Sequence, residues 1–218
     1  MKPLTKTTTF SHIASKGALG TVLVRLMMFI NDLSLFNDAL EQWHKYEDEP
    51  HKKRAAGAKM YFVRLMISHI YEALKLMNDI NANSELRNAV GQCDQKTQEL
   101  FKKIAPLFGG DQFKKMGKVR NDITFHYLHD KVEPALATLA KKFPNNERPI
   151  SIGEKSIETY FEPSDRVIDN AVLREIFGLP EDGDPSAEIE KVIESMQLIG
   201  EDVATFAALF IFHHAATQ

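Results

Sequence analysis

Apolar residues recur at spacings of three and four along most of this chain, the repeat of a helix with one buried face. Between residues 19 and 43 the stripe is Leu19, Val22, Leu23, Leu26, Ile30, Leu33 and Leu40, with Arg25, Asn31, Asp38 and Glu41 on the polar side. Pro50 disfavours helix at the residue before it, so this helix is expected to end near residues 46–50. A second helix is expected over residues 54–79, with Phe62, Leu65, Met66, His69, Ala73, Leu76 and Ile80 along its stripe. A third starts near Ser84, a plausible cap, and runs through Val90, Leu100 and Ile104 to Pro106 or the Gly109-Gly110 pair. A fourth opens after Asp111, a good N-cap, and carries Phe113, Met116, Val119, Ile123 and Tyr127. Pro134 either kinks it or begins a separate helix to Phe143.

Residues 144–163 break this period. Asn145, Asn146, Pro149 and Gly153 are turn residues, and the segments 150–152 and 157–161 alternate as a small β-hairpin does. Helix resumes over residues 164–177, and a last helix spans residues 186–213. The pattern predicts an all-α fold. It is an antiparallel bundle of four to six helices, with a β-hairpin inserted near residues 149–161. Residues 1–143 form the main bundle. Residues 144–218 supply the hairpin-like connection and two further helices packed on it, within a single domain. The methionines at positions 27, 28, 60, 66 and 77 read as core filler.

Composition narrows the function classes. In 218 residues, 44% are hydrophobic and 26% charged, enough to bury a core. The net charge of −3 confines any nucleic-acid contact to a local patch. Cys93 is the single cysteine, so no internal disulfide forms, which fits a reducing cytoplasm. Its polar surroundings read as those of an inert thiol. The first eleven residues lack the apolar core of a secretory signal, and the apolar run of residues 203–212 is half the roughly 20 residues a membrane span needs. A cytoplasmic protein without membrane contact is expected.

One segment carries chemistry: Arg120-Asn121-Asp122-Ile123-Thr124-Phe125-His126. On an ideal helix Met116, Val119, Ile123 and Tyr127 share the apolar face. Arg120 and His126 flank it by about 60° on either side, roughly 120° apart. Arg120 is expected to be solvated and His126 half-buried. Histidine titrates near neutrality and moves protons, and arginine grips phosphate through paired N–H groups. Together they suit attack by a ribose 2′-hydroxyl on the adjacent phosphate, with Arg120 stabilising the developing charge and no metal required. Lys114, Lys115 and Lys118 add a basic run that attracts phosphate, or else form a solvated helix face. The plainer alternative for the pair is a surface arginine and a histidine packed at the bundle edge.

Arg120, the polar Asn121 and, after a five-residue gap, His126 resemble the signature of the HEPN superfamily, the higher eukaryote and prokaryote nucleotide-binding domain. That signature is Arg-x4–6-His with a polar residue after the arginine. The resemblance implies a homodimer in which the motifs of two subunits meet. It also implies metal-independent RNA cleavage to a 2′,3′-cyclic phosphate, within a toxin–antitoxin or defence system, with an antitoxin or other operon protein as partner. Many members of that family only bind nucleotides or RNA. Residues 111–130 carry the resemblance, and residues 144–218 match nothing in it.

Two other classes stay open. One is a non-catalytic interaction module. The other is a metal-dependent bundle, for which Glu41 and His44 have the Glu-x-x-His spacing of di-iron carboxylate sites. That site needs a second such motif, and His69 with Glu72 gives only the reversed order. His69 itself reads as a core histidine or, if the second helix packs on the fourth, as a lining of a cleft at Arg120 and His126. His44, His126 and His129 offer three imidazoles for a mononuclear site in a helical bundle, though spacing alone does not bring them together. His213 and His214 read as a helix end, where the dipole favours histidine. Phosphate-loop, nucleophile-elbow and paired-cysteine motifs do not occur. No metal and no cofactor is expected.

Overall fold

The computed structural model describes residues 5–126, 129–180 and 185–215, excluding the side chains of residues 44, 56, 129 and 185–189. Among the described residues the fold is all-α apart from one short hairpin. The helices are α1 (Phe10–Ala14), α2 (Ala18–His44), α3 (Glu49–Ala82), α4 (Ser84–Gly91) and α5 (Gln95–Ile104). They continue as α6 (Asp111–Lys118), α7 (His129–Lys142), α8 (Glu162–Asn170) and α9 (Pro185–His214). Two π-helical segments, Val119–Thr124 and Ala171–Ile176, extend α6 and α8.

The helices outnumber the expected four to six, and local capping explains why. The predicted third helix is two. Asp94 takes the Thr97 backbone N–H at 2.8 Å and starts α5 anew after α4 ends at Gly91. Asn83, rather than Ser84, caps α4 by accepting from the N–H groups of Glu85 and Leu86. α3 begins earlier than expected because Asp48 accepts from the His51 N–H, and Pro50 occupies the first turn, where its missing N–H costs nothing. α7 passes through Pro134 rather than starting there. The hairpin forms in reduced size. β1 (Ile150–Ser151) pairs antiparallel with β2 (Tyr160–Phe161), placing Ile150 opposite Phe161.

The chain divides into two compact units. One holds the described residues of Met1–Leu35, His69–Phe113 and Met196–Gln218. Its buried residues include Leu23, Leu26, Ile70, Leu74, Met77, Phe206 and Phe210, with Phe206 stacked on Phe210 and tilted against Phe101. Gly20 admits the Ile13 carbonyl where any Cβ would collide with it, which brings α1 against α2. Val24, Met28 and Leu35 stay exposed on one face of α2, so Met28 is not the core filler expected of it, whereas Met60, Met66 and Met77 are.

The other unit holds the described residues of Phe36–Ser68 and Lys114–Ser195. Here α7 packs on α8 and on the second π segment, and the two π segments touch. Met116, Val119, Ile123, Ala135, Ala171 and Val172 are buried. Among the described residues two helices, over Ala18–Trp43 and Glu190–His214, are long and apolar enough to cross a membrane, a property that core helices share.

The first π segment is held by a buried hydroxyl pair. Thr124 Oγ1 donates to the Val119 carbonyl at 3.0 Å, five residues back, the span of a π turn. Ser68 on α3 lies 3.1 Å from Thr124 Oγ1 and 2.8 Å from the Arg64 carbonyl. Thr124→Val keeps the shape and removes the bridging hydroxyl, leaving Ser68 with one acceptor fewer. It is expected to destabilise the protein by about 1–2 kcal/mol in urea denaturation, with Thr124→Ser closer to wild type.

Candidate functional site

The sequence motif lies on the first π segment and the turn that follows it. An α-helix continued through residue 126 would have kept Arg120 outside and His126 at the core border. The π turn instead accommodates one extra residue. Val119, Ile123 and Thr124 all face the core, and helical pairing ends at Phe125. The expected exposures are therefore reversed: Arg120 is half-buried, and His126 is exposed in the turn. Tyr127, expected on the apolar face, lies outside the described residues.

Arg120 Nη1 donates to Asn121 Oδ1 at 3.1 Å. Its guanidinium carbon sits 5.7 Å from the centroid of the Phe125 ring. That is cation–π range, worth about 0.5–1 kcal/mol at an exposed site. The ring itself is 56% exposed, in a chain that also exposes Phe10, Phe143 and Phe161, and its face is open to solvent. Sequence reasoning passed over Phe125, although it stands inside the motif. An aromatic next to His126 was the signal. Lys114 and Lys118 are exposed at the i, i+4 positions of α6, with Asn121 following at i+7, while Lys115 is half-buried. The segment thus groups a planar cation, an open π face, an amide and an accessible imidazole within seven residues, with lysines leading up to it.

Two further clusters were not legible from spacing. In the unit that contains the motif, Arg64 is buried at 7% exposure and faces Asp169 of α8, Nη1 to Oδ1 3.7 Å. Asp165, one helical turn before, packs its carboxylate where only Gly57 of α3 leaves room. Arg64 recurs with Met60 and Ile67 on the apolar stripe of α3, which is the one sequence sign of an inward-facing charge. Burial pushes the Asp169 carboxyl up to about 7, against the pull of Arg64 and reinforced by Asp165. A cavity of about 370 Å³ lies between α7 and α8, lined by Leu139, Phe143, Arg148, Arg166, Asp169 and Arg174 among others. Arg148 and Arg166 both bind Glu162, at 3.1 and 3.0 Å, so its basic rim is already matched by an acid.

In the other unit the turn between α4 and α5 meets the end of α9. Cys93 Sγ is 3.4 Å from His214 Nε2, and that nitrogen is 3.0 Å from the Ala89 carbonyl. Burial, reinforced by the neighbouring Asp94, raises the Cys93 thiol to about 11 and favours its protonated form in the metal-free protein. His69 is half-buried in the same unit, not sealed in its core. The side chains of His44 and His129 lie outside the described residues, and with them the alternative three-histidine site.

No protein-family model, curated protein or solved structure matches this chain. The functional reading therefore rests on the residues themselves.

The carboxyl of Asp169 carries a pH signature. Its folded value, about 7, exceeds the ordinary 3.8, so the fold favours the protonated acid. That contribution is fully present below pH 4 and is lost as pH rises through 7. Arg64 on α3 and Asp165 and Arg166 on α8 are the charged groups that act on it. Urea midpoints are expected to fall between pH 4.5 and 8 on this account, and the Asp169→Asn variant should show a flatter profile over that range.

Proposed function

We propose that the turn after the first π segment is an RNA-contacting surface, and that the protein is a metal-independent endoribonuclease on an all-α, antiparallel scaffold. The observation that carries this reading is the exposed Phe125 ring beneath the Arg120 guanidinium, beside the exposed His126. Single-stranded nucleic acid is bound by aromatic faces that stack bases and cations that hold the backbone, and this segment supplies both. The nearby Lys114, Lys115 and Lys118 add local phosphate attraction within a net-acidic chain.

In this mechanism His126 takes the proton of a ribose 2′-hydroxyl, and its oxygen attacks the adjacent phosphorus. Arg120 neutralises the charge that builds on the phosphoryl oxygens, and Asn121 orients the guanidinium by accepting one of its N–H groups. The 5′-oxygen of the next nucleotide leaves, taking a proton, and a 2′,3′-cyclic phosphate remains. Accessibility of His126 suits a single-stranded substrate, whose backbone can wrap an exposed turn. Homodimerisation would set two motifs side by side and supply a second imidazole for the leaving group. A cytoplasmic location, and a toxin–antitoxin or defence setting with an antitoxin as partner, follow from the resemblance of Arg120, Asn121 and His126 to the HEPN signature.

A second reading is a non-catalytic interaction module. It is favoured by Val24, Met28 and Leu35, three large apolar side chains exposed on one face of α2 with Asn31 between the last two.

The test is cleavage of a mixed RNA pool in excess EDTA, with folding checked by circular dichroism in the same buffer. Wild type is expected to cleave. His126→Ala is expected to lose at least about 100-fold in rate, the usual worth of a general acid or base. Cleavage that needs added metal, or that survives His126→Ala, contradicts the mechanism.

A further inference from the structure

The end of α9 and the turn between α4 and α5 place three metal-ligating side chains together. The geometry points to a mononuclear zinc-type site formed by Cys93, His213 and His214. It is independent of the RNA reading and belongs to the other compact unit. Each residue offers one donor atom, and the three atoms lie within 4.8 Å of one another. Zinc binds thiolate at about 2.3 Å and imidazole at about 2.0–2.1 Å in a tetrahedron, which sets neighbouring donors roughly 3.5 Å apart. The 3.4 Å between Cys93 Sγ and His214 Nε2 already has that value. Only the His213 ring, exposed and next to His214, has to move by a side-chain rotation.

Three features support ligation over a chance cluster. First, the residues come from distant parts of the chain, with Cys93 and His214 separated by 121 positions, and both are buried, at 6% and 8% exposure. Second, the contact that His214 Nε2 makes with the Ala89 carbonyl can be given up. That carbonyl also accepts from the Gln92 backbone N–H at 3.2 Å, so it keeps a partner when the imidazole turns its lone pair to a metal. Third, the site lies at the C-terminus of α9, a 30-residue helix whose dipole favours a cation there. Asp94 adds negative charge beside His213 while its Oδ1 caps α5. The exposed His213 marks the way in, and the fourth position is left to water. One thiolate and two imidazoles are the ligand softness that selects zinc or cobalt(II) over magnesium and calcium.

Such a metal would tie the α4–α5 turn to the end of α9, acting as a clamp between segments far apart in sequence. The test uses the full chain, reduced and stripped of metal, titrated with cobalt(II) and then with zinc. Expected are one cobalt per chain, the visible bands of tetrahedral cobalt, and a thiolate-to-cobalt charge-transfer band that zinc abolishes. Cys93→Ala, which leaves a small apolar side chain in the same space, is expected to lose the charge-transfer band. His214→Ala and His213→Ala should each weaken binding by tenfold or more. Zinc at about 100 times its Kd should raise the wild-type Tm by about 5–10 °C and leave Cys93→Ala unmoved. Absence of stoichiometric cobalt binding by wild type overturns the site, and so does binding whose spectrum survives Cys93→Ala. Neither result touches RNA cleavage, whose variants lie at Arg120 and His126.

Discussion

Five residues back from Thr124, the Val119 carbonyl accepts the Thr124 hydroxyl within a π turn, and the motif's side chains are disposed around that turn. An α-helix must bury every third or fourth residue on one face. Here Val119, Ile123 and Thr124 are all buried, which a straight α-helix would not bring to one line so readily. The π turn absorbs the mismatch. Ser68 fixes it from α3 through a second hydroxyl, so the irregularity is anchored by tertiary contact and not by local propensity. The same turn draws Arg120 partly inward, ends the helix at Phe125 and leaves His126 in open solvent. Packing in the core thus sets the exposure of the groups that would meet a substrate.

Charge burial shapes the same unit. Arg64, Asp165 and Asp169 occupy the contact between α3 and α8, where apolar side chains would pack without a desolvation cost. Burial holds Asp169 closer to its neutral form at physiological pH than an exposed carboxyl. The arrangement makes this part of the fold sensitive to pH in a direction opposite to that of ordinary ion-paired acids. It also places a polar core beside the α7–α8 cavity, whose basic rim Glu162 already engages.

The long helices were legible because their apolar stripes are strong: α2 appears where the period of three and four puts it, and α3 does so apart from its earlier start at Glu49. The hairpin was legible because Pro149 and Gly153 interrupt that period and alternation replaces it. The break at Asp94 was missed because a single capping aspartate outweighs an apolar stripe that continues from Val90 to Phe101. The π turn was missed for a related reason. Val119 and Ile123 keep helical spacing in sequence, and only the burial of Thr124 betrays the extra residue. Arg120, Asn121 and His126 were visible as residue types, but their exposures depended on that turn and came out reversed. Pairings such as Cys93 with His214, or Arg64 with Asp169, depend on how distant segments fold back. No spacing rule encodes them.

The central claim is that Phe125, Arg120 and the preceding lysines form one surface for single-stranded RNA. Its most direct measurement is fluorescence anisotropy of a short labelled RNA at several salt concentrations, comparing wild type with Phe125→Ala. Binding is expected to weaken steeply with salt, with a loss of about tenfold in Phe125→Ala at every salt concentration, since stacking on one ring is worth about 1–3 kcal/mol. Binding that is absent in wild type, or unchanged when the ring is removed, would contradict the claim.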